Sequence, residues 1–143
     1  MARNSITHPL RIATLPIGVG AVGVTFAPGK KQLKAMTGEW HRDIDLDLHA
    51  VKAWGAQLLI SLIEPFEFGE LGIETLPDRA AAHGLDWIGL PIKDGDAPDH
   101  RFLDPWETLG PELVRSILSG GRVVVHCKGG LGRAGTVASM LLI

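Results

Sequence analysis

Tyrosine is absent from this sequence, cysteine occurs once, and aromatic residues make up only 6% of it. The single cysteine, Cys127, excludes an internal disulfide framework. It fits a reducing compartment, where a lone thiol is either inert core or a nucleophile. A strong charge of either sign is lacking too. The formal net charge is −2, so no global field draws the chain to nucleic acid or to an anionic membrane, and any anion site must be local. Long hydrophobic runs are missing, and none approaches the length of a membrane span. The N-terminal stretch MARNSITHPLRIATLPIG is unlike a signal peptide, because a Pro splits its basic residues and no long apolar segment follows. These absences lead us to expect a cytoplasmic protein with no membrane or nucleic-acid partner. Repeats and low-complexity tracts are absent as well.

What is present suits one domain with one substantial core: 143 residues, 45% of them apolar and 21% charged. Residues 11–17 read as a strand and 18–24 as a turn and strand. Residues 43–54 carry apolar side chains at 44, 48, 51 and 54, which is helical spacing, and Gly55 is placed to end that helix. QLLISLI (57–63) is apolar on both faces, as a buried parallel strand would be. A helix over 75–83, a strand over 86–92 and a polar loop over 93–101 follow. The pair Asp104-Pro105 predicts a helix over 105–118, with Asp104 as N-cap and Pro105 at its first position. A strand over 122–126 leads into a helix from Arg133. This alternation predicts an α/β fold with a central, mostly parallel sheet flanked by helices on both faces. The chain stops on an apolar helix, MLLI, so the single domain, residues 1–143, is expected to continue past Ile143.

The stretch VVVHCKGGLGRAGT (123–136) concentrates the chemistry. Gly130, Gly132 and Gly135 match the dinucleotide pattern G-x-G-x-x-G, but only eight residues follow Gly135, too few for the second strand and its acidic residue. A second match at Gly18, Gly20 and Gly23 runs into Pro28-Gly29 where a helix would be needed, and a hairpin accounts for it better. Cys127 and Arg133 stand six apart instead. A Cys at the end of a strand, followed by a tight glycine loop into a helix, aims loop N–H groups and a helix N-terminus at one centre. That field favours a thiolate. Arg133 in the first helical turn can grip two phosphate oxygens at once, which a Lys could not copy. The competing reading is a buried structural Cys beside a surface Arg.

HCKGGLGRAGT (126–136) resembles the signature H-C-x-x-G-x-x-R-[ST] of the cysteine-dependent protein tyrosine phosphatase superfamily. It looks most like the dual-specificity branch. The segments FAPGKK, GAQLLISLIE, HGL and LPIKDGDAPD resemble the kinase-associated phosphatases of that branch, which act on cyclin-dependent kinases. The resemblance implies that Cys127 is the nucleophile and Arg133 the phosphate clamp, with His126 helping to hold the thiolate pocket. Backbone amides of Lys128, Gly129, Gly130, Leu131, Gly132 and Arg133 would line the anion site. It implies a general acid on a loop about thirty residues upstream; Asp94 lies 33 before Cys127, with Asp96 and Asp99 as rivals. The implied substrate is a phosphorylated protein or a small phosphate ester, hydrolysed by a monomer without metal or cofactor. The alternatives are a phosphatase for an inositide or nucleotide, and a slow-turnover phosphate-binding protein.

The last alternative rests on a departure. Where the family pattern has Ser or Thr after the Arg, this chain has Ala134, and the missing hydroxyl would normally ease departure of sulfur from phosphate in the second step. Thr136 is expected to point elsewhere. Lys128 follows the nucleophile, as in lipid-phosphate phosphatases, but Leu131 stands where those enzymes have a second basic residue, which favours protein or aryl phosphates. The absence of Tyr and the short chain fit a shallow pocket open to phospho-Ser, phospho-Thr and phospho-Tyr. Asp43-Ile44-Asp45-Leu46-Asp47 lacks the glycine and glutamate of a calcium loop, and its acids read as helix N-terminal charges. The six histidines show no zinc spacing. Trp40, Trp54, Trp87 and Trp106 read as core or interface.

Overall fold

The computed structural model describes residues 3–35, 38–129 and 132–142. Its strands are β1 (Ala13–Ile17), β2 (Gly20–Thr25), β3 (Lys31–Ala35), β4 (Gly38–His41), β5 (Leu58–Ser61), β6 (Asp86–Gly89) and β7 (Arg122–His126). Its helices are α1 (Ile44–Trp54), α2 (Pro65–Glu70), α3 (Leu76–Ala82), α4 (His100–Leu118) and α5 (Gly132–Leu142). The central sheet runs β1-β2-β7-β5-β6. β1 joins β2 as an antiparallel hairpin, while β2, β7, β5 and β6 are mutually parallel. The expected α/β architecture with a mostly parallel sheet is the observed one. β3 and β4 form a separate antiparallel ribbon, which hydrophobic periodicity did not signal.

Alternation along the central strands divides the core in two. Val123 and Val125 of β7, with Ile60 of β5, face α4 and α5 and pack on Phe102, Leu113, Ile117, Val137 and Leu141. Val124 and Leu59 point the other way, against Leu48, Val51, Leu76 and Ala80 of α1 and α3. This two-sided burial explains why the central strands are continuous apolar runs.

Helix α1 begins and ends where its sequence predicts. The Asp43 carboxylate accepts a hydrogen bond from the Leu46 amide, and Gly55 closes the helix at φ 108°. The start of α4 is a correction. The helix begins at His100, not Pro105, and its N-cap is Asp99, which accepts from the Arg101 amide. Asp104-Pro105 and Pro111 lie inside it. Prolines remove the bonds to the carbonyls of Arg101 and Glu107, but the helix still buries Phe102 fully and stacks it on Trp106 at 4.9 Å. Burying Phe102 is worth roughly 3 kcal/mol, comparable to the cost of one interior Pro.

Three loops leave the carboxyl ends of the parallel strands on the same side as the β7–α5 loop. The turn after β2 is pressed against α1 at Gly29, where φ is 75° and a Cβ would lie 2.6 Å from the Ile44 Cβ, so glycine is required. The Gly29 amide donates to the Asp47 carboxylate, which also accepts from the Nε and NH2 of Arg42 at 2.8 and 3.0 Å and from the Ser5 hydroxyl at 2.9 Å. Asp45 and Asp47 lie in the first turn of α1, as read from the sequence; Asp47 also forms a fully buried ion pair with Arg42, while Asp45 binds Arg79 and His83 at the surface.

Candidate active site

Strand β7 carries His126 and Cys127 to the carboxyl edge of the sheet, both buried. His126 lies opposite Ser61 of β5 and Thr25 of β2, so neighbouring strands hold it on both sides. Its Nδ1 is 3.0 Å from the Cys127 carbonyl and must donate to it, since a carbonyl only accepts. In the neutral ring Nε2 then accepts from the Ser61 hydroxyl at 2.6 Å, and the Trp87 indole N–H donates to the Ser61 oxygen at 2.8 Å. The chain Trp87–Ser61–His126–Cys127 runs one way with every donor used. Burial, against the opposing effect of the Cys127 carbonyl, pushes the His126 pKa down to about 4. The imidazole is therefore a neutral brace at physiological pH.

The loop after Cys127 is tied to the β2 turn by the Ala27 amide, which donates to the Lys128 carbonyl at 3.2 Å. Gly130 and Leu131, two of the expected amide donors, lie outside the described residues. Gly132 opens α5 at the surface, and Arg133 points inward from its first turn, 6% exposed.

The guanidinium of Arg133 can be accounted for proton by proton. NH1 donates to the Glu67 carboxylate at 2.8 Å and to the Ile92 carbonyl at 3.0 Å, and NH2 donates to the other Glu67 oxygen at 3.0 Å. Five N–H bonds less these three leave Nε–H and one NH2–H, which lie on one edge of the fork. Glu67 thus grips the end of the guanidinium and leaves its side edge available. Glu67 itself is fixed because the Glu64 amide donates to it at 2.6 Å across the first turn of α2. Burial pushes the Glu67 carboxyl up, but the bonds from Arg133 and the Glu64 amide outweigh it and hold it below the ordinary carboxylate range.

The acid-bearing loop follows β6. Asp94 is 75% exposed, and its Oδ1 stands 3.8 Å from Arg133 Nε, on the available edge of the fork. Asp94, Asp96, Gly132, Arg133 and Thr136 line one cleft of about 280 Å³. Asp96 points 3.9 Å from Lys93. Asp99 is occupied as the α4 cap, and hydrogen bonds from the Arg101 side chain and backbone keep its carboxyl below the ordinary range. Arg101 also reaches Glu64 at 2.9 Å, fastening the end of the acid loop to the start of α2.

Ala134 is fully buried, its methyl packed in the core with Val137, Ala138 and Leu141. The Thr136 hydroxyl donates to the Gly132 carbonyl at 2.9 Å, one turn back, although the residue itself lines the cleft with Asp94 and Arg133. No group of three or more acidic, His or Cys side chains able to hold a metal occurs among the described residues. No helix among them is long and apolar enough to cross a membrane.

Three side chains that pack around Cys127, His126 and Arg133 escaped the sequence reading. Ser61 carried a signal, as the one polar residue in the apolar run LLISLI (58–63). Glu67 carried little, because its partner is 66 residues away. Lys30, in FAPGKK, is 3% exposed, with its Nζ 4.2 Å from the Trp40 ring centre and 4.6 Å from that of Phe26. Burial, joined by the charges of Arg42 and Arg3 and opposed by Cys127, pulls its ammonium down to about 8.

Comparison with known proteins agrees with this geometry. The family described as "Polymorphic toxin system, DSP-PTPase phosphatase" matches residues 35–143. "Cyclin-dependent kinase inhibitor 3" of Mus musculus is 28% identical over 138 residues, 94% of this chain and 62% of that protein. The chain thus spans under two thirds of the length of such relatives. "Protein tyrosine phosphatase type IVA 2" of Mus musculus is 36% identical over 66 residues, 46% of this chain and 37% of that one. Among solved structures, kinase associated phosphatase with its catalytic cysteine replaced by serine superposes with a TM-score of 0.79 at 24% identity, covering 94% of this chain and 74% of that one. This likeness shows the shared fold.

Proposed function

Because the chain belongs to the DSP-PTPase phosphatase family of polymorphic toxin systems, we propose that it hydrolyses phosphate monoesters on proteins through a phosphocysteine at Cys127. The observation that carries the reading is the Arg133 fork, held at one end by Glu67 and open along the edge that Asp94 faces. Phosphate seated in the loop takes the two remaining Arg133 donors and the loop amides. The Cys127 sulfur attacks phosphorus as the ester oxygen departs with the proton of Asp94. Water then attacks phosphorus, Asp94 takes a proton from that water, and the P–S bond breaks to restore the cysteine. Thiol, cations and carboxyl complete the reaction by themselves, without metal or cofactor.

The buried methyl of Ala134 favours a slow second step, and with it the second reading of a phosphate-dependent binder with little turnover. Rapid-quench mass spectrometry with an aryl phosphate tests both. A gain of one phosphoryl group that is lost in Cys127→Ser supports the covalent route, and its lifetime separates slow hydrolysis from fast. Neither adduct nor product with aryl phosphate or phosphopeptides would refute the phosphatase reading. The toxin-system description extends the proposal to a toxic effector acting on phosphoproteins of a target cell. Growth arrest on expression, absent with Cys127→Ser, checks that extension.

A further inference from the structure

Lys30 is almost withdrawn from solvent and forms no ion pair with a carboxylate of the described residues. The charged side chains that act on its ammonium are Arg42, Arg3, Lys128 and Cys127: three cations and the nucleophile. The rings of Phe26 and Trp40 offset part of the desolvation. Held among three other cations, the partly desolvated charge costs the protein stability. A surface lysine would swing into water. This one is held by backbone on both sides: its own amide donates to the Ala27 carbonyl, its carbonyl accepts from the Arg42 amide, and the neighbouring Ala27 amide donates to Lys128 of the nucleophile loop. The ammonium abuts that loop directly. A Cβ built on Gly129 would meet Nζ at 3.0 Å, so glycine at 129 leaves room for the charge.

The cost of such a charge is recovered when an anion fills the loop on the far side of Gly129. We propose that Lys30 is a second fixed cation of the phosphoryl site, beside Arg133, a positioning residue that acts through the loop and tunes the pocket for the dianion of a phosphate monoester over a singly charged diester. The inference rests on the phosphatase reading and adds to it a residue outside the C-x5-R loop, together with a preference of substrate charge. It implies a trade between stability and binding: the empty protein is less stable for holding Lys30 charged, and the filled protein binds more tightly because of it.

The test is titration calorimetry of inorganic phosphate into the protein and its Lys30→Met variant at neutral pH, with melting curves of both without phosphate. Met keeps the length and the contact with Phe26 and Trp40 and removes the charge. The expected result is a phosphate Kd raised about tenfold, equivalent to about 1.4 kcal/mol, with a phosphate-free melting temperature unchanged or higher. A Kd within twofold of the parent overturns the proposal. A melting temperature lowered by several degrees also overturns it, because that marks a packing role. If Lys30→Met does not fold, Lys30→Gln is judged by the same criteria. Failure of the parent protein to bind phosphate would remove the phosphatase reading itself, whereas a parent that binds and an indifferent variant remove only the role of Lys30.

Discussion

Replacing Glu67 by alanine separates two meanings of its grip on Arg133. A carboxylate on a phosphate-binding arginine either supports that arginine or competes with the phosphate. The count of donors decides for support, since Glu67 takes one end of the fork and Nε–H and one NH2–H remain. Both side chains are 4% exposed, so Glu67→Ala leaves a buried guanidinium without its counterion and the Glu64 amide without its acceptor. Breaking a buried pair from one side costs about 3–5 kcal/mol. At roughly 3 °C per kcal/mol for a chain of this size, the melting temperature falls by about 10–15 °C. With its orientation lost, Arg133 meets phosphate poorly, and kcat/KM for an aryl phosphate drops by about a hundredfold, roughly the loss of one well-aimed transition-state contact. The sign with pH follows. The folded-state pKa of Glu67 lies below its ordinary value, so its contribution is present above about pH 4.5 and fades as pH falls through the lowered value. Calorimetry and steady-state kinetics on Glu67→Ala and Glu67→Gln decide the matter. Unchanged melting, or a rise in phosphate affinity, would refute the reasoning, the second by showing competition.

Restoring a hydroxyl in Ala134→Ser should speed breakdown of the phosphocysteine about tenfold and flatten a burst into a linear trace in stopped-flow assays, while Thr136→Ala leaves the trace alone. Asp94→Asn should lower kcat/KM about a hundredfold, in the range of lost general acid catalysis. Asp99→Asn should instead leave the midpoint of a denaturant titration nearly unchanged, because Asn is also a good N-cap, and should not change the chemical step. His126 is held neutral with a pKa of about 4 against 6.5 unperturbed, so the unfolded chain binds more protons between those values and stability rises with pH through that window, by roughly 3 kcal/mol in all. Urea titrations at pH 5 and 7 should show the rise in the parent and not in His126→Asn.

The parts of this molecule that could be read ahead are those whose signals are local. The run VVVH followed by CKGGLGR announces a strand, a sharp loop and a helix, and β7 and α5 lie there. Asp43 and Gly55 bracket α1 for the same reason. The start of α4 was misplaced because Asp104-Pro105 is the stronger local signal, whereas Phe102 and Trp106 declare themselves only through packing. Glu67 sits in PFEF, a stretch too short and too apolar to suggest a catalytic partner, and only the approach of α2 to α5 gives it one. The tautomer of His126 likewise depends on Ser61 and Trp87, which come from two other strands.

The two ends of the site treat positive charge in opposite ways. Arg133 has a buried carboxylate that sets its direction and leaves one edge for the ligand. On the β2 side Lys30 has aromatic faces and no carboxylate among the described residues, and behind it Arg42 gives two nitrogens to Asp47 while its NH1 is buried with no hydrogen-bond partner among them. A structure selected for stability alone would pair or remove such groups, since satisfied or apolar replacements are commonly neutral or stabilising. Cations left short of acceptors on one side of the nucleophile loop, with an aimed arginine on the other, make the empty pocket the costly state and the phosphate-filled pocket the relaxed one. Phosphate should therefore raise the melting temperature of this protein, and the rise should shrink when Lys30 is neutralised and vanish when Arg133 is replaced by Met. A rise that is the same in all three proteins would mean that phosphate binds elsewhere.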